Sequence, residues 1–126
     1  MDETFGKKEK LKSKKLIEDL FQKGKSVKNF PLRLIYISLE QKQDVQFQTG
    51  VSVPKRLVKT AVQRNRLKRL MRESYRKNKY IVANTTGFSY AFMIIYMTPK
   101  EMGYDELFAA MERLMKKFKE KEKWEN

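Results

Sequence analysis

The chain has 126 residues, 29 Lys and Arg against 15 Asp and Glu, a net charge of +14, 40% apolar residues and 12% aromatics. That is enough apolar material for one domain with one core, and too basic a balance to suit anything but a polyanionic partner, nucleic acid first and anionic membrane second. With no Cys and no His, disulfides, thiolate metal sites and the commonest general acid–base group are excluded.

Residues 1–10 are polar and lysine-rich, have no apolar run resembling a signal peptide, and are expected to fray. Leu16, Ile17, Leu20 and Phe21 then recur at helical spacing, which predicts a helix from about Ser13 to Lys23 stopped by Gly24. Leu32–Leu39 is β-branched and aromatic and reads as a strand, with Ser26–Asn29 as a possible short strand before it. Glu40–Asp44 is a polar turn. From Val45 to Val53 the pattern alternates strictly, with Val45, Phe47, Thr49, Val51 and Val53 on one face and the small polar Gln46, Gln48, Gly50 and Ser52 on the other. That second face suits either solvent or the close approach of a ligand.

After Pro54 and the basic entry Lys55-Arg56, Thr60 to Lys79 predicts a helix about 30 Å long with Thr60 as N-cap. Leu67, Leu70, Met71, Ser74 and Tyr75 form its apolar stripe. Arg64, Arg66, Lys68, Arg69, Arg72, Arg76, Lys77 and Lys79 cover the rest, with Glu73 as the only acid. A solvated surface helix is the plainer reading, but solvated faces usually mix signs at i, i+4; this one does not, which favours an anionic partner.

Asn84–Gly87 reads as a loop, and Tyr90–Met97 as a central strand buried on both faces, too short to cross a bilayer. Asp105 is expected to cap a last helix with the stripe Leu107, Phe108, Met111, Leu114, Met115 and Phe118, and the segment from Lys116 to the end is expected to be solvated, with residues 119–126 frayed. The architecture is therefore α+β, a single domain over 1–126, one sheet with helices against it in the order α-β-β-β-α-β-α. No strand end carries paired carboxylates, and the five glycines are scattered, so neither a metal-binding acid cluster nor a phosphate-cradling loop is present. Tyr36, Tyr75 and Tyr96 could donate protons, yet each stands where a core or stacking aromatic is expected.

The segment Lys55-Arg56 … Ala61-Val-Gln-Arg64-Asn65-Arg66-Leu-Lys68-Arg69-Leu70 … Arg72-Glu73 resembles the signature of the bacterial ribonuclease P protein subunit, and Thr49–Arg56 and Leu20–Gly24 are similar to the family's preceding strand and first-helix ending. The resemblance implies a sandwich like a ribosomal-protein domain, with a left-handed βαβ crossover through the basic helix, against the usual rule. It implies an endoribonuclease whose protein subunit is non-catalytic: the partner is a catalytic RNA, the substrate is precursor tRNA, and Mg2+ is bound mainly by the RNA, with no organic cofactor. A cytoplasmic protein, monomeric within the ribonucleoprotein, is expected.

By the same resemblance Arg64, Asn65, Arg66, Lys68, Arg69 and Arg72 face the RNA, and Lys55 and Arg56 add phosphate contacts. Guanidinium forks suit bidentate phosphate binding, and Asn65 can donate and accept at a hydroxyl. The single-stranded 5′ leader would lie in a cleft lined by Phe21, Arg33 and Ile35, with Ile17 and Tyr36 beside them. Ile17, Phe21 and Ile35 could instead be core residues, Ile17 and Ile35 as readily as not. Arg33 and Ile35 depart from the family pattern, which prefers an apolar group and an aromatic there. The alternative reading is a ribosomal or general RNA-binding module with no processing role.

Overall fold

A computed structural model describes residues 5–39, 46–83 and 89–122. The expected turn at Glu40–Asp44, residue Val45, the loop Asn84–Gly87 and the segments 1–4 and 123–126 lie outside the described residues. The elements are α1 (Lys14–Lys23), β1 (Lys25–Asn29), β2 (Leu32–Leu39), β3 (Phe47–Ser52), α2 (Ala61–Asn78), β4 (Ser89–Tyr96) and α3 (Tyr104–Lys121), with single 3-10 turns at Lys7–Glu9 and Lys79–Ile81. The order is the one expected, and the fold is an α+β sandwich.

One four-stranded sheet runs β1-β2-β4-β3. β1 pairs antiparallel with β2 and β2 antiparallel with β4, while β3 and β4 are parallel neighbours joined by the crossover through α2. Alternation sends Leu32, Leu34, Tyr36, Phe47, Tyr90, Phe92, Ile94 and Tyr96 to one face, where α2 and α3 bury them with Leu67, Met71, Tyr75, Leu107, Met111, Leu114 and Phe118. Phe118 sits edge-on to Tyr36, with ring centroids 4.7 Å apart. The other face is lighter. Ile35, Ala91, Met93 and Ile95 are covered by Leu20 of α1, with Leu11 and Ile17 packed around it.

The local stops have identifiable causes. Ser13 Oγ accepts from Leu16 N at 3.3 Å and starts α1. Gly24 ends it, but not through a left-handed backbone: its φ is −66°, and a Cβ there would collide with the Leu20 carbonyl and the Ile35 side chain. The glycine is needed for the close approach of α1 to β2. The α3 cap differs from expectation. Gly103 is the N-cap and Asp105 lies inside the first turn, because Glu106 Oε1 reaches back to accept from Gly103 N at 3.3 Å.

The ends are better anchored than composition implies. Lys7–Glu9 forms its turn, Leu11 N donates to Thr49 O at 3.0 Å along the outer side of β3, and Phe5 packs edge-on against Tyr75 at 5.5 Å. At the other end α3 continues to Lys121, and Glu122 accepts from Tyr36 OH at 2.7 Å. No helix among the described residues is long and apolar enough to cross a membrane.

Candidate nucleic-acid interface

α2 begins where Thr60 Oγ1 accepts from Gln63 N at 3.3 Å. Its inner face is Leu67, Met71, Ser74, Tyr75 and Asn78, with Leu70 partly buried. Asn78, outside the expected apolar stripe, is 1% exposed: its Nδ2 donates to Ser74 O at 2.9 Å and to Phe108 O at 3.3 Å, tying α2 to α3. Thr49 Oγ1 donates to Tyr75 OH at 2.9 Å in a fully buried contact, which fixes α2 to β3. Burial raises the Tyr75 phenol well above its ordinary range. These anchors hold the helix so that its outer face is presented without freedom to roll.

On that outer face Asn65, Arg69 and Arg72 are exposed and share one side at i, i+4, i+7, with Lys68 half-buried beside them. The expected set does not act as one, however. Arg64 turns back on the loop before the helix: its Nη1 donates to Val58 O and to Lys59 O, each at 2.9 Å. Arg66 leans the other way, with Nη1 2.8 Å from Glu101 Oε1. The two arginines thus brace the two walls of a cavity of about 250 Å³ lined by Leu57, Val58, Lys59, Gln63, Leu67, Pro99, Lys100 and Glu101. Lys55 and Arg56 are exposed on the turn that Pro54 O closes by accepting from Leu57 N and Val58 N, each at 3.1 Å.

Toward its C-terminus the helix is less cationic than its composition. Arg76 forks onto Glu73, with Nε 3.2 Å from Oε2, and this bond holds the Glu73 carboxyl below its usual range. Lys79 Nζ lies 2.7 Å from Glu9 Oε1, and both side chains are largely covered. The uncompensated charge is concentrated from Lys55 to Arg72.

The cleft residues separate by face. Phe21 is 56% exposed on α1 and Ile17 is half-buried beside the Leu20–Ile35 cluster. Ile35 is only 6% exposed, beneath α1, so it is floor rather than contact surface. Arg33 shares its face, with Nη2 3.5 Å from Ser26 Oγ. Tyr36 is a correction: an even position on β2, it points to the opposite face, packs on Phe118 and bonds Glu122, so it cannot line the α1 side. Among the described residues no three His, Cys, Asp or Glu side chains gather as a metal site.

Sequence reasoning missed Glu101 and Glu9, the two acids that restrain Arg66 and Lys79. Each lies far along the chain from its partner, and no periodicity links them.

The family model described as Ribonuclease P matches residues 5–119. The chain is 35% identical over 123 residues to a ribonuclease P protein component of Porphyromonas gingivalis, covering 90% of this chain and 84% of that protein. Its identity to the Macrococcus caseolyticus protein component is 32% over 108 residues, covering 85% and 87%. The fold is similar to the solved RNase P proteins of Staphylococcus aureus (TM-score 0.69, 24% identity, 88% of this chain and 95% of that one) and Thermotoga maritima (TM-score 0.70, 20% identity, 86% and 96%).

Proposed function

The chain belongs to the ribonuclease P protein family, and from that premise we propose that it binds the catalytic RNA of the enzyme and the 5′ leader of precursor tRNA. In this role it assists endonucleolytic removal of the leader without performing chemistry itself. The observation that supports this best is the outer face of α2, where Asn65, Lys68, Arg69 and Arg72 meet no acidic partner among the described residues, on a helix pinned to the core by Tyr75 and Asn78. A charged surface that needs no rearrangement loses little entropy when phosphates dock on it.

In this reading Arg69 and Arg72 fork onto phosphates and Asn65 pairs with a ribose hydroxyl. Lys55 and Arg56 extend the track past the helix entrance, on a turn whose carbonyls Arg64 holds. Phe21, with Ile17 at its base, offers an exposed ring on which an unpaired leader base stacks, and Arg33 supplies a cation on the same side of the sheet. Mg2+, held mainly by the RNA, would supply the activated water. The working compartment would be the cytoplasm, with one copy of the chain per ribonucleoprotein.

The test is reconstitution. The chain, added to a bacterial ribonuclease P RNA at low magnesium, should raise the rate of precursor-tRNA cleavage. Folded protein that leaves the rate unchanged while binding ribosomal RNA equally well would instead favour a general RNA-binding module. Cleavage by RNA-free protein would point to a self-contained nuclease.

A further inference from the structure

The sheet edge farthest from α2 carries a second concentration of cations. β1 is one outer strand and β3, which α2 packs against, is the other. Three interstrand steps separate them, about 14 Å.

Strand register puts Lys28 directly opposite Arg33, on the face that carries α1. Like charges in that position destabilise a strand pair unless an anion answers them. No acidic side chain among the described residues does so. Among the described residues the side chain of Arg33 makes one bond, to Ser26 Oγ at 3.5 Å, and its buried Nε has no partner. Around the outside of the same strand, Lys117 Nζ donates to Lys28 O and Lys121 Nζ to Ser26 O, each at 2.8 Å. An ammonium has three N–H groups, so each of these lysines is fixed in place by one and keeps two for another acceptor. Among the described residues an acid beside this edge is Glu122, 3.9 Å from Lys25, and it is already engaged by Tyr36 OH. At the tip of the β1–β2 hairpin the ring of Phe30 is 63% exposed.

Edge protection alone would account for Lys117 and Lys121, since lysines on an outer strand discourage pairing with another sheet. It does not account for Lys28 facing Arg33, nor for an exposed aromatic two residues away. Fixed cations with an exposed ring beside them are what an unpaired RNA strand needs: charge to follow its backbone and a surface on which a base stacks.

We propose that the β1 edge, with Lys28, Lys117, Lys121 and the ring of Phe30, is a second RNA-binding surface that holds the backbone of an unpaired strand at the sheet edge farthest from α2. This rests on the ribonuclease P reading and extends it, because the protein then grips RNA at both edges of its sheet.

The test measures binding of the full chain to a bacterial ribonuclease P RNA, alone, with mature tRNA and with precursor tRNA carrying a long leader, across a salt series. Lys28→Gln with Lys117→Gln keeps a donor for the Lys28 carbonyl and removes two charges. The slope of log affinity against log salt should flatten by about 1.4 in the arm that contains the strand in question. Phe30→Ala should weaken the same arm without changing the slope, and Lys28→Arg with Lys117→Arg should restore wild-type behaviour. Thermal midpoints matched to wild type separate these effects from unfolding. If wild-type protein stimulates cleavage but the glutamine pair leaves the slope unchanged in every arm, the edge surface is refuted and the ribonuclease P reading stands. If wild-type protein has no effect on the RNA at all, both fall. Binding to phosphatidylserine vesicles that is lost with the same substitutions, with RNA binding untouched, would assign the edge to membrane and overturn the proposal.

Discussion

Arg66 and Glu101 meet at 2.8 Å across 35 residues of sequence, and both side chains are half-exposed. The contact places an acid of the β4–α3 connection against a guanidinium of the motif helix. An RNA phosphate docking on Arg66 would therefore compete with Glu101 for the same donor. Removing the charge with Glu101→Gln is expected to tighten RNA binding by up to about fivefold, the worth of one exposed ion pair. The salt slope should steepen by roughly one phosphate contact. Filter binding across a salt series reads both quantities, and weaker binding would show that Glu101 aims Arg66 rather than restraining it.

Arg64 and Arg69, both members of the cationic set, are expected to fail differently. Arg69→Ala removes an exposed guanidinium of the proposed RNA face and should flatten the salt slope by roughly 0.7–0.9 with little effect on stability. Arg64→Ala removes two hydrogen bonds to loop carbonyls and should lower stability by about 1 kcal/mol, with faster amide exchange near Val58. Equal slopes and equal melting points for the two variants would contradict this division.

Gly24→Ala tests the contact between α1 and the sheet. The added methyl meets the Leu20 carbonyl and Ile35, neither of which can retreat without moving a strand or a helix. A loss of about 1–3 kcal/mol is expected, read as a shift in the urea midpoint. Because Phe21 rides on α1, leader-dependent stimulation should fall with it.

Tyr75→Phe would leave the Thr49 hydroxyl buried without an acceptor at the α2–β3 junction, at a cost of about 1–3 kcal/mol. Thr49→Val with Tyr75→Phe, which removes both polar groups, should recover part of that loss. Thermal unfolding of the single and double variants gives the comparison.

Alkaline stability follows from three tyrosines. Burial raises the phenol of Tyr36, Tyr75 and Tyr96 above the ordinary value of 10.0, with the Glu122 hydrogen bond adding to the shift at Tyr36. A raised folded value means that their contribution is fully present below pH 10 and is lost as pH climbs toward the folded values, because the unfolded chain releases the protons first. The urea midpoint should therefore hold steady up to about pH 10 and then fall. Tyr75→Phe should blunt the fall, and a midpoint flat to pH 12 would refute the assignment.

Much of this protein was determined by its sequence alone. The alternation of Phe47, Thr49 and Val51, the apolar run of β4 and the stripe of Leu67, Met71 and Tyr75 dictate strands and helices, because burial is set by local period. The uncompensated cations around Asn65 and the family signature were likewise readable there. Tertiary structure decided which of those cations remain free. Arg64 is bound to its own loop, Arg66 to Glu101, Arg76 to Glu73 and Lys79 to Glu9, and all but the neighbouring pairs depend on chain crossings that no pattern encodes. It also set Lys28 against Arg33 and fixed Lys117 on the edge of β1, whereas the placing of Tyr36 opposite Ile35 was already implied by strand alternation. Composition sets the charge of a chain, but only the folded neighbours of each charge determine whether a ligand can reach it.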